Sequence, residues 1–196
     1  MKIFIFLFVF VSILLGSSCK PKESQPVATA ETKGVIDLDS LKERIKKTSK
    51  LSDQAKSKIN TYLDGKNKRS VGVMEWVEFA QNYAKDNGYS NSISAFELGT
   101  ELFPKSTVAF YFLADAHVEN KDTINALKYF DLAAKLDQRN TCATDVSAFL
   151  QNPVDTTFSR VCAPCYCNQH KYRFKNARFC IQCGMELVKD STRIAI

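Results

Sequence analysis

VMEWVEFAQNYAKDNGYSNSISAFELGTELFPKS, residues 73–106, runs directly into TVAFYFLADAHVENKDTINALKYFDLAAKLDQRN, residues 107–140, and the two stretches share one 34-residue register. In the first, Trp76, Phe79, Ala80, Tyr83, Ser92, Phe96, Gly99 and Pro104 occupy positions 4, 7, 8, 11, 20, 24, 27 and 32. In the second, Phe110, Leu113, Ala114, His117, Ala126, Phe130, Ala133 and Gln138 occupy the same eight. Spacings of three and four residues within positions 4–11, and again within 20–27, place each run on one face of its own helix. Asn87-Gly88 and Asn120-Lys121-Asp122 supply the turns, and Pro104 removes a backbone donor where a helix must stop. The pattern predicts four helices, over about 72–86, 90–103, 107–120 and 123–136. A helix pair of this size cannot bury its apolar face alone, so the units must stack.

The alternation of large and small residues resembles the tetratricopeptide (TPR) repeat. The resemblance implies a mostly α fold: a solenoid of antiparallel helix pairs whose concave groove recruits a protein or peptide partner. In proteins of this type positions 2, 5, 9, 12 and 13 face the groove. Here they are Met74, Val77, Gln81, Ala84 and Lys85, then Val108, Tyr111, Asp115, Val118 and Glu119. Met74, Val77, Gln81, Lys85, Tyr111, Asp115 and Glu119 are the candidate partner contacts, with Tyr111, Asp115 and Gln81 expected at least partly exposed. The apolar members have a second reading, as packing against a preceding helix pair. The lysine–asparagine clamp of some TPR proteins is missing, since Val77 and Gln81 stand at its first positions.

Working outward, residues 36–71 form a further pair without the signature. Leu38, Leu41 and Ile45 recur at helical spacing; Ser52 is placed to cap a second helix carrying Ala55, Ile59, Tyr62 and Leu63 up to Gly65. The pair reads as a divergent repeat or a cap. Residues 141–158 hold a closing helix with Val146, Phe149 and Leu150, stopped by Asn152-Pro153. Trp76, Phe110 and His117 read as core.

At the other end, Lys2 precedes an apolar run from Ile3 to Leu15, then Gly16, Ser17 and Ser18. This is the layout of a secretory signal over 1–18, too short for a membrane span of about 20 residues. Cys19 directly after the small residues resembles the lipobox of bacterial lipoproteins, with Gly16 where Leu is usual. The resemblance implies that Cys19 is acylated and holds the chain on a membrane of the bacterial envelope. Residues 19–35 carry too little apolar surface to fold and form a tether reaching roughly 20 Å.

Five of the seven cysteines fall in the tail, residues 159–190: Cys162, Cys165, Cys167, Cys180 and Cys183. Two Cys-x-x-Cys pairs suit tetrahedral zinc, because each grips the ion from one tight turn. Cys180-Ile-Gln-Cys183-Gly184 resembles the second knuckle of a zinc ribbon, which makes Cys162, Cys165, Cys180 and Cys183 the candidate ligands of a structural zinc. Cys167 and His170 are alternates for the first half. Tyr166-Cys167-x-x-His170 with Cys180-x-x-Cys183 also resembles the heavy-metal-binding domain of bacterial efflux proteins, with Asn168-Gln169 in place of its Pro-Met. That likeness implies metal handling instead.

Disulfides remain open, since Cys142 and the five tail cysteines make an even set. Cys-Ala-Pro-Cys lacks the strand–helix setting of a thioredoxin-like site. Haem attachment fails because Tyr166 follows Cys165.

The net charge of +6 is spread over 27 basic and 21 acidic residues, with no stripe of the kind nucleic acid requires. No phosphate loop, nucleophile elbow or His-Glu-x-x-His motif occurs, and with two histidines the chain offers little for hydrolysis. The expectation is a non-enzymatic, lipid-anchored interaction scaffold with a metal module.

Overall fold

The computed structural model describes residues 34–66, 69–139, 141–162 and 168–190. Cys19, Cys165 and Cys167 lie outside the described residues, as do the signal sequence and most of the tether.

Among the described residues the chain is mostly helical, with seven α-helices and two small antiparallel sheets. Strand β1 (Val35–Asp37) leads into α1 (Leu38–Lys47) and α2 (Asp53–Gly65). Strand β2 (Ser70–Gly72) then pairs back on β1, with Ile36 opposite Val71, before α3 (Val73–Asn87). Helices α4 (Tyr89–Leu102), α5 (Thr107–Glu119), α6 (Thr123–Leu136) and α7 (Cys142–Gln151) follow. The tail adds β3 (Arg160–Val161), a 3-10 turn (Asn168–Lys171) and β4 (Val188–Lys189), with β4 antiparallel to β3.

Side chains cap the helix starts where backbone N–H groups lack an intrahelical partner. Asp37 accepts from Ser40 N, Ser52 from Ala55 N, Ser106 from Ala109 N and Asp122 from Asn125 N. At α3 the order reverses: Glu75 reaches back to accept from the amide of Gly72 at 2.9 Å. Gly88, at φ +81°, makes the turn between α3 and α4 in a conformation other residues rarely adopt.

Each helix from α3 to α7 packs on the next, and α5 also reaches α3. Helix α2 closes the N-terminal side, with the Tyr62 ring 5.2 Å from that of Phe79 and the Tyr62 hydroxyl donating to the carbonyl of Glu75. Trp76 lies in the centre, its indole N–H donating to Ala95 O at 2.9 Å. His117 is core as expected, stacked on Tyr129 with Nδ1 facing Asp122.

Gly99 is small for a steric reason: a Cβ there would sit 2.7 Å from Trp76 Cδ1 and 2.8 Å from its Nε1. Gly99→Ala is therefore expected to destabilise the chain by about 1–3 kcal/mol through overpacking, read as a lower urea midpoint at an unchanged slope.

The tail is not a separate module with its own core. Cys162, Tyr172, Phe174, Ala177, Cys180 and Leu187 belong to the same buried cluster as the helices. The Tyr172 ring meets Phe130 of α6 edge-on at 6.2 Å.

Candidate metal centre

Cys180 and Cys183 sit on a tight knuckle. Cys180 N donates to Met185 O at 2.8 Å, and Gly184 N to Cys180 O at 2.9 Å. Phe179 and Glu186 form an antiparallel bridge below it. Gly184 adopts φ +68°, which explains glycine there although a side chain would meet nothing within 4 Å. Cys162 arrives at the end of β3, so the strand pairing delivers the third thiol.

The Sγ atoms of Cys162, Cys180 and Cys183 all lie within 4.8 Å of one another, with Cys162 and Cys183 at 3.5 Å. Four sulfurs around a tetrahedral zinc, each bonded at about 2.3 Å, stand about 3.8 Å apart, so the spacing fits. The donor set fits too, since thiolates suit zinc and softer ions. Cys162 and Cys180 are buried and Cys183 is partly exposed. His170 does not join: it is exposed and outside the cluster, held by its carbonyl to the Arg173 guanidinium. The 3-10 turn aligns Gln169 with the core, and Cys167, which the alternate set pairs with His170, lies outside the described residues.

Cys142 lies close by on α7 but does other work. Its thiol donates to Phe179 O at 3.1 Å, and burial, reinforced by Cys180, pushes its pKa up to about 12. It stays protonated at neutral pH and pins the knuckle by a hydrogen bond.

A correction concerns the groove. Tyr111 and Asp115, expected to be exposed, are 0% and 2% exposed, because the tail covers them. The Tyr111 hydroxyl donates to Gln169 Oε1, itself fully buried. Tyr172 donates to Asp115 Oδ1 at 2.6 Å, and the Lys171 ammonium contacts both Asp115, at 2.7 Å, and Glu119. Gln182 donates to Gln81 at 3.4 Å. Of the remaining candidates, Val77 is core, Met74 is partly exposed at 38% and Lys85 is exposed.

Burial raises the Asp115 carboxyl above its ordinary value, with Lys171 pulling the other way. Burial alone would lower Lys171, but Asp115 and Glu119 outweigh it and hold the ammonium above the usual lysine value. Burial also raises Tyr111 and Tyr172, so both phenols remain donors.

Asp145 on α7 completes the docking, and it was not among the candidates. One carboxylate oxygen accepts three backbone amides, from Lys175 at 2.9 Å, Asn176 at 2.7 Å and Ala177 at 2.7 Å. The other accepts the Asn176 side-chain amide at 3.1 Å. A signal for it exists: continuing the 34-residue register from Thr141 puts Cys142 at position 2 and Asp145 at position 5.

No protein-family model, curated protein or solved structure matches the chain.

Proposed function

We propose that the chain is a non-enzymatic, lipid-anchored scaffold of a bacterial envelope, with a TPR-like helical body that recruits a protein partner and a structural zinc fastening its tail. The observation that carries this reading is the docking itself. The residues that a TPR register assigns to ligand contact, Gln81, Tyr111, Asp115 and Glu119, are the ones that hold another part of the chain, through its 3-10 turn, Tyr172 and the knuckle. A face already able to bind one segment through named side chains supports a binding function.

Cys162, Cys180 and Cys183 hold the zinc in this reading, with Cys165 as the fourth ligand by its Cys-x-x-Cys spacing from Cys162. The metal's contribution is structural: the chain after β3 and the knuckle are tied at one point.

One preparation tests both ends of the chain. Native protein extracted from membranes with detergent is expected to carry a diacylglycerol on Cys19 and one zinc per chain, with its metal-bound thiols alkylated only after the metal is stripped. No zinc together with no alkylatable thiol establishes disulfides instead. An unmodified Cys19, with Cys19→Ala still sedimenting with membranes, rejects the anchor.

The partial exposure of Cys183 favours a second reading, metal handling, since solvent can reach that side of the site. Retention of zinc through dialysis against excess cadmium supports the structural role, and ready exchange supports handling.

A further inference from the structure

We infer that the turn between α1 and α2 is a second membrane contact, a basic corner that lies against anionic phospholipid head groups and holds α3 to α7 away from the bilayer. The choice of a bilayer as occupant rests on the anchored reading above.

Charge is partitioned along the fold. Residues 34–72 hold ten basic and five acidic side chains, whereas residues 73–158 hold six and twelve. The N-terminal pair is therefore +5 and the body it covers −6. Within the pair the excess gathers at one corner. Between residues 44 and 58 stand Arg44, Lys46, Lys47, Lys50, Lys56 and Lys58, with Asp53 the one acid. The fold brings this stretch together, since the Lys56 ammonium on α2 donates to the carbonyl of Lys46 on α1 at 3.4 Å. Arg44, Lys46, Lys47 and Lys50 are exposed there. The groove running back from the corner is mixed, with Asp39, Glu43 and Asp64 beside Lys42.

Helix stability does not account for the corner. A helix C-terminus carries about half a negative charge, which a single cation answers, yet the last turn of α1 holds Arg44, Lys46 and Lys47. Lys56 lies in the first turn of α2, where the dipole disfavours a cation. Local ion pairs do not account for it either. Lys47 meets Glu43 at 3.0 Å and Lys50 meets Glu101, but these side chains are 45% to 74% exposed, and such pairs contribute little. Arg44, Lys46 and Lys56 contact no carboxylate among the described residues.

An anionic bilayer attracts cations that come within a Debye length of about 8–10 Å and repels the acidic body behind them. The reach is sufficient. Helix α1 has ten residues and is about 15 Å long, and the chain from Lys20 to Gly34 spans roughly 20 Å. A polynucleotide offers the same charge, but the tether supplies the bilayer at high effective concentration.

The test uses the mature polypeptide, residues 19–196 with Cys19→Ala, which carries no acyl group and keeps every described residue. It is expected to bind vesicles of phosphatidylcholine with one quarter phosphatidylglycerol at least about tenfold more tightly than vesicles of phosphatidylcholine alone, and the preference should fall with added salt. Lys46→Glu with Lys56→Glu should remove at least about tenfold of that affinity. Lys105→Glu with Lys135→Glu, at exposed positions on the acidic body, changes the net charge equally and should remove less than about threefold. Should the first pair lose its helical circular dichroism, Arg44→Gln with Lys46→Gln is expected to lose at least about threefold. Equal binding to the two vesicles overturns the inference, as does a corner reversal no more harmful than the body reversal. Tighter binding to a mixed-sequence single-stranded DNA than to the anionic vesicles overturns it too, and assigns the corner to nucleic acid. Mass spectrometry of the native protein keeps the readings apart. An acylated Cys19 without vesicle selectivity sinks only this contact, and selective binding with an unmodified Cys19 sinks only the anchor.

Discussion

With the proposed structural zinc on Cys162, Cys180 and Cys183, Cys180→Ser is expected to abolish zinc binding and to release the tail, raising amide exchange over residues 169–189 by about three orders of magnitude, equivalent to roughly 4 kcal/mol. The size follows from what the cluster does. Structural zinc in small modules contributes on the order of 10–16 kcal/mol, and the tail's own sheet consists of two-residue strands that cannot persist unaided. Part of that free energy is retained because Tyr172, Phe174 and Leu187 still find the helix core. The helices themselves lose their cover over Tyr111, so the far-UV signal should remain while the melting temperature falls. Hydrogen exchange with mass spectrometry, run beside elemental analysis, reads both quantities. A tail as protected in Cys180→Ser as in the parent would show that the thiols carry no metal.

Asp145→Ala carries the second large effect, about 3–5 kcal/mol of lost stability by urea denaturation. The carboxylate is 2% exposed and satisfies three backbone amides and one side-chain amide at once. Removing it strands four donors where water cannot replace it fully, and unmade buried bonds cost far more than a made bond contributes. Asp145→Asn keeps the shape and one acceptor and should lose about half as much. The exposed pair Lys42–Asp64 makes the contrast: with side chains 37% and 62% exposed, its removal should cost less than about 1 kcal/mol. Equal losses at the two sites would contradict the docking described for Asp145.

The parts of this structure that could be read in the sequence are those with a period. Helices α3 to α6 fall within a residue or so of their expected limits because the apolar register and the turn residues agree. Strands β1 and β2, three residues each, are too short for an alternation to register, and they pair across the whole of α1 and α2, as Ile36 does with Val71. The knuckle was legible because metal geometry restricts spacing. The docking was not. Asp145 lies 30 to 32 residues from the amides it holds, and Tyr111 lies 58 from Gln169, separations that leave no local pattern. The register put the right residues of α3 and α5 on one face, but nothing in it said that the tail of the same chain would lie there.

That arrangement also sets the order in which the protein can be completed. Synthesis runs from the N-terminus, so α5 exists long before its cover does. Until residues 169–187 emerge, Tyr111 and Phe130 remain open to solvent, and Asp115 and Asp145 lack the donors that the finished chain supplies. Contacts across such separations are slow to close. The nascent chain therefore passes through a stage that is helical, sticky on one side and unable to finish itself, in which a folding helper of the compartment has something to hold.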